Sequence, residues 1–198
     1  MNLTEMIDIV RQDLHDEDSG NYRWTDSELT RHINRAVKEF SERVPGPARA
    51  TLATTADSRE IDVSGLNDRI MIEAVEYPVN TYPPSFQRFS IWGDLLTIIS
   101  GSEPDGANCY VYYGTLHTLD VQGSTVPPKY EDLVATGAAA YAALEWAAYA
   151  INKVNVGGAD VAREFRQWGS ERLAAFQEAL ERLGRRQRVR VQRLFGAD

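Results

Sequence analysis

The chain has 198 residues, 43% of them hydrophobic and 25% charged, an ordinary soluble composition with enough apolar side chains for one core of useful size. Its formal charge of −8, from 21 basic and 29 acidic residues, argues against a protein that binds polyanions over its whole surface, because neutralising phosphates needs a basic face. Cys109 is the only cysteine, which excludes an internal disulfide and a thiolate metal cluster within one chain and fits folding in a reducing cytoplasm.

The charge is unevenly placed. Residues 184–198 hold five arginines against one aspartate, a net +4, so the rest of the chain carries −12. Met1 to Leu14 interrupts its apolar pattern with Glu5, Asp8 and Arg11 and so lacks the h-region of a signal peptide; no run approaches the roughly 20 apolar residues of a membrane span. No membrane contact and no classical secretion are expected.

In chain order, Leu3, Met6, Ile7, Val10 and Leu14 recur at three- and four-residue steps and predict a first short helix capped by Asn2, broken by the acidic stretch Asp16 to Asn21. Thr25-Asp26-Ser27-Glu28 has the form of a capping box and predicts a second helix through Leu29, Ile33, Val37, Phe40 and Val44, ended by Pro45-Gly46-Pro47. From Ala50 the texture turns to Thr, Val, Ile and Tyr between Asp-Ser, Ser-Gly and Asp-Gly turns, predicting antiparallel strands near 51–55, 59–63, 70–77, 86–91, 94–99 and 108–117, with a tight hairpin at Trp92-Gly93-Asp94. Between them Tyr77 to Phe86, holding Pro78, Pro83 and Pro84, cannot pair along its length and reads as an exposed loop.

After Pro127-Pro128 the alanine-dense Tyr130 to Val154 predicts a helix able to approach its neighbours closely, and Gly157-Gly158 separates it from a last helix of about Asp160 to Leu183, a helical hairpin. Gly184 is expected to end that helix. The alternating Arg-Val-Arg-Val of 188–191 then suits an extended arm or a strand added to a neighbour. The expected fold is α+β, mainly α. A bundle of two N-terminal and two long C-terminal helices (3–44 and 129–183) and an inserted antiparallel β block (50–126) make one domain, 1–183, followed by a basic arm, 184–198.

Little in the chain is arranged for catalysis, and no cofactor is expected. His15, His32 and His117 sit in no metal-binding spacing and read as plain surface or core histidines. Asp13, Asp16, Glu17 and Asp18 fail as a calcium loop, since the glycine falls at the fifth position from Asp16 and Ser27 stands where the bidentate Glu belongs. There is no Gly-x-Ser-x-Gly elbow, Cys109 reads as a small core residue, and Gly157-Gly158 lacks the Lys-Ser/Thr of a phosphate loop. Two segments point outward. Arg185, Arg186, Arg188, Val189, Arg190, Val191, Arg193, Leu194 and Phe195 combine charge with apolar anchors, either an interface segment or a solubilising tail. Tyr77, Tyr82 and Phe86 are either a stiff contact surface or a crossover packed on the sheet.

The opening Ile9-Val10-Arg11 through Leu14, then Tyr22-Arg23-Trp24-Thr25-Asp26-Ser27-Glu28-Leu29 and on to Asn34, Ala36, Phe40 and Val44-Pro45, resembles the start of tailed-bacteriophage head-to-tail adaptor (connector) proteins. In that family a short helix, a loop and a Trp-Ser/Thr-Asp-x-Glu-Leu helix recur. The resemblance spans residues 1–45 and extends in architecture to a helical bundle with a strand-rich insertion and a C-terminal arm. It implies a structural virion protein of the neck, not an enzyme, assembled in the host cytoplasm into a homo-oligomeric ring, typically of twelve copies, on the portal protein. It also implies contact with a stopper or tail (nozzle) protein on the other face, and passage of DNA through the lumen without sequence-specific binding. On that reading the nine arm residues are candidates for the portal interface, and Tyr77, Tyr82 and Phe86 for contact with the tail or a neighbouring copy. The alternative is a DNA-binding or packaging accessory protein whose N-terminal helices read the duplex while the arginines grip its backbone; a tail-associated wall hydrolase finds no carboxylate pair singled out by spacing.

Overall fold

In a computed structural model, which describes residues 1–150 and 160–194 with side chains up to Arg185, the order is α1 (Leu3–Leu14), α2 (Asp26–Arg43), β1 (Gly46–Ala53), β2 (Glu60–Asp62), β3 (Arg69–Glu76), β4 (Phe86–Gln87), β5 (Phe89–Trp92), β6 (Leu95–Ile98), β7 (Asn108–Thr115), α3 (Glu131–Ala150) and α4 (Val161–Leu194). The chain divides into two compact units, one of residues 1–44 and 117–198, the other of residues 45–116. The strand-bearing unit therefore begins at Pro45, directly after α2, and residues 117–126 join the helices.

Both N-terminal helices start on capping boxes. Asn2 and Glu5 bond each other's backbone N–H groups at 3.0 and 2.8 Å, and Thr25 and Glu28 do the same at 3.2 and 2.7 Å. In the helical unit α3 packs against α1, α2 and α4, which explains its composition. A helix surrounded by others has no polar face to spare, and Val134, Ala135, Gly137 to Ala143, Ala147 and Ala150 are all buried. Gly137 lets the Phe176 ring of α4 lie where a Cβ would come within 2.9 Å of it, and Gly169 of α4 seats against Leu144 and Ala140 in the same way. The close approach expected from the alanines is the packing observed. A short 3₁₀ turn, Pro128–Tyr130, leads into α3; Gly157-Gly158 and the expected helical residues 151–154 lie outside the described residues.

The last helix departs from expectation. It runs through Gly184 to Leu194 instead of ending at Leu183, so residues 185–194 form neither an extended arm nor an added strand. Gly184 is not in the left-handed conformation that a terminating glycine adopts, the Arg and Gln residues beyond it are good helix formers, and Arg185 pairs with Glu181 one turn back at 3.3 Å. Phe195 lies outside the described residues.

In the other unit the expected strand at 86–91 is divided between two sheets. One sheet has the order β1-β7-β3-β4 and the other β2-β6-β5, all neighbours antiparallel. They close over a shared core of Ile61, Val63, Val75, Leu96, Ile98, Cys109 and Val111. Cys109 is fully buried there, as expected, and burial pushes its thiol pKa up. Pro47, without a donor N–H, is placed on the edge strand β1. Gly93-Asp94 makes the two-residue turn between β5 and β6, with Gly93 at a φ of 60°.

Candidate functional site

The stretch that carries the resemblance, Tyr22 to Leu29, is a structural knot. The Trp24 ring is buried and its indole N–H donates to the Ala142 carbonyl of α3 at 3.3 Å. Arg11, buried on α1, donates to Asp16 (2.6 Å), to the Trp24 carbonyl (3.0 Å) and to Asp26 (2.7 Å), while the Tyr22 ring lies 3.6 Å from its guanidinium carbon. Asp16 also accepts from the backbone N–H groups of Arg23 and Trp24. The acidic loop thus uses Asp16 to hold the α1–α2 connection in place. The spacing suggests solvated acids here; the partner that makes Asp16 structural, Arg11, lies on the preceding helix and carries no local signal.

His117 is likewise a pin: its ring nitrogens bond Val44 O (3.0 Å) and Thr125 Oγ1 (3.2 Å), and its backbone N–H donates to Ser41. His15 caps α1 in the left-handed conformation. Among the described residues no group of three or more His, Cys, Asp or Glu is placed to hold a metal ion.

His32, which reads from its spacing as a plain surface or core histidine, is buried beside charged side chains. With Arg31 and Arg35 it lines a cleft of about 510 Å³ bounded by α2, by Tyr141, Leu144 and Glu145 of α3 and by Leu173 of α4. Arg31 pairs with Glu145. His32 Nε2 is 2.6 Å from the same carboxylate but off the line of a hydrogen bond, so this buried nitrogen has no well-aligned partner. Burial lowers the His32 pKa against the pull of Glu145, and the Arg31 hydrogen bond lowers that of Glu145. Across the cleft Arg35 stacks on the Tyr141 ring, 3.8 Å from its centroid, and pairs with Glu39. The Tyr141 hydroxyl donates to Glu39 at 2.6 Å, and burial with that bond pushes its pKa up to about 12. Only the helical spacing of residues 31, 32 and 35 hinted at this cluster; its α3 half is far away in sequence.

The segments expected to face outward fare unequally. Tyr77 is only 6% exposed, belongs to the strand-unit core, and bonds Asp105 through its hydroxyl as donor (2.7 Å) and acceptor (2.9 Å). It is therefore withdrawn from any contact surface: an aromatic at the end of β3 packs inward with the strand. Tyr82 is 98% exposed and Phe86 stands at the margin, edge-on to Tyr112. Of the arginine-rich candidates, Arg185 is exposed on α4; Arg186 to Leu194 follow along the same helix.

The surfaces described are an exposed loop carrying Tyr82, a cleft lined by Arg31, His32, Arg35 and Tyr141, and a helix that runs into the arginine-rich segment. The chain matches the SU10 adaptor protein family over residues 1–194 and belongs to that family of phage head-to-tail adaptors. No curated individual protein matches it. The chain is thus a bacteriophage adaptor and a component of the virion neck, and no helix among the described residues is long and apolar enough to cross a membrane.

Proposed function

We propose that this adaptor forms a homo-oligomeric ring of twelve copies on the portal, extends the DNA channel beneath it, and presents on its far side the attachment site for a stopper or tail protein. The observation that carries this reading is the family match along nearly the whole chain. Charge supports it. Residues 1–183 hold the −12 that a wall passing DNA without gripping it needs, since each Lys or Arg there would add a phosphate contact. The +4 of residues 184–198 suits docking in an acidic portal cleft, with Val189, Val191, Leu194 and Phe195 as apolar anchors. The DNA-reading alternative is less well supported, because Glu145 and Glu39 pair with Arg31 and Arg35 of α2 and offset the charge they would offer a phosphate backbone.

The test is co-sedimentation with the portal ring of the same phage, comparing the native chain with one carrying Arg185→Glu, Arg186→Glu, Arg188→Glu and Arg190→Glu. Stoichiometric binding by the native chain and loss of at least tenfold in affinity for the variant are expected. Equal binding by both would overturn the portal role of the arginines, and strongly salt-dependent affinity for duplex DNA without portal binding would favour the packaging alternative.

A further inference from the structure

A closed ring of identical subunits needs two different surfaces on each chain, because one patch of a copy meets another patch of the next. Two features suit such a pair. The α2–α3–α4 cleft is poorly made for an anion, since Glu145 and Glu39 answer the charges of Arg31 and Arg35. It is well made for an aromatic ring. One face of the Arg35 guanidinium covers Tyr141 while the side chain stays 61% exposed, leaving the other face open, and Leu144 and Leu173 supply apolar walls.

The second feature is the tip of the β5–β6 hairpin. Trp92 is 89% exposed beside the Gly93-Asp94 turn, with Ile91 and Leu95 partly exposed next to it. Arg69 of β3 ties the tip down, donating to Val63 O (2.9 Å), Gly93 O (3.3 Å) and Asp94 (2.9 Å). A large aromatic on a braced turn loses little freedom on docking, and tryptophan has the best ring face for a guanidinium. Tyr82, though more exposed, sits in a loop rather than on a hairpin.

We propose that Trp92 of one copy seats in the cleft of the adjacent copy, its indole on the open face of Arg35 opposite Tyr141 and its edges against Leu144 and Leu173. The contact is heterologous, as ring closure requires, and rests on the ring proposed above. The test is assembly of the full-length chain on the portal ring, read by sedimentation and electron microscopy for the native protein, Trp92→Ala and Arg35→Lys, with thermal melting as the folding control. Each variant is expected to melt as the native protein does and to need at least tenfold more protein to assemble. Benzoylphenylalanine placed at position 92 is expected to photo-crosslink to α2, α3 or α4 of another copy. Native rings with variants that assemble equally well, or crosslinks only elsewhere, would overturn the contact and leave the ring standing. No ring from the native chain would overturn both.

Discussion

Arg11 is the side chain on which the N-terminal motif depends. With 5% of its side chain exposed, it answers the buried Asp16 carboxylate and the Trp24 carbonyl at once. Removing one partner of a buried pair strands the other, so Arg11→Met is expected to cost about 3–5 kcal/mol, read from the shift of a denaturant midpoint. Replacing Asp26, whose side chain is largely exposed, should change stability by less than about 1 kcal/mol. His32 gives a pH prediction. Its folded pKa lies below the ordinary 6.5 because of burial, so below that pH the unfolded chain takes up a proton that the folded chain resists, and its contribution to stability, full above pH 6.5, is lost as pH falls. His32→Gln should flatten the fall in stability below pH 6.5 relative to the native protein, measured by urea titration; an unchanged slope would remove His32 from the account. At this scale the caps were legible, since Asn2 and Thr25-x-x-Glu28 act within one turn. His32–Glu145 was not, because its halves lie on α2 and α3 and only folding brings them near, and Arg11–Asp16, five residues apart, was hidden because Asp16 reads as one more acid of a solvated loop.

Among the elements, α3 was legible from its alanines and α4 only in part. A glycine after a periodic run is the usual sign of a helix end, but here the residues on both sides of Gly184 favour the helix and the backbone passes straight through. Two substitutions separate these ideas. Gly184→Ala, whose Cβ would meet Arg43 only at ordinary contact of 3.6 Å, should raise helicity by circular dichroism and stabilise by about 0.5–1 kcal/mol. A glycine held in the left-handed conformation would instead be destabilised by the same change. Gly137→Ala, with a Cβ 2.9 Å from the Phe176 ring, should lower stability by about 1–3 kcal/mol, because the α3–α4 packing has no room to give. Most strands were legible from their Thr, Val, Ile and Tyr residues, but β1 begins at Gly46, within the Pro-Gly-Pro stretch expected only to end α2, instead of near residue 51. The division into two sheets was not legible, since residues 86–91 read as one strand and nothing local marks the change of partner between Gln87 and Phe89.

For the whole molecule the sequence alone pointed to the family through residues 1–45, and the family match extends over residues 1–194. The acidic body and the basic end could be read directly from composition. The use proposed for them, a channel wall and a docking helix, could not, because such surfaces would act only between chains. The central claim is tested most directly by electron microscopy of the portal ring mixed with this protein. The account predicts a second ring added coaxially at one end of the portal in averaged images, with its copies in fixed stoichiometry to the portal subunits. Portals that stay bare at saturating protein, or density scattered without symmetry, would contradict it.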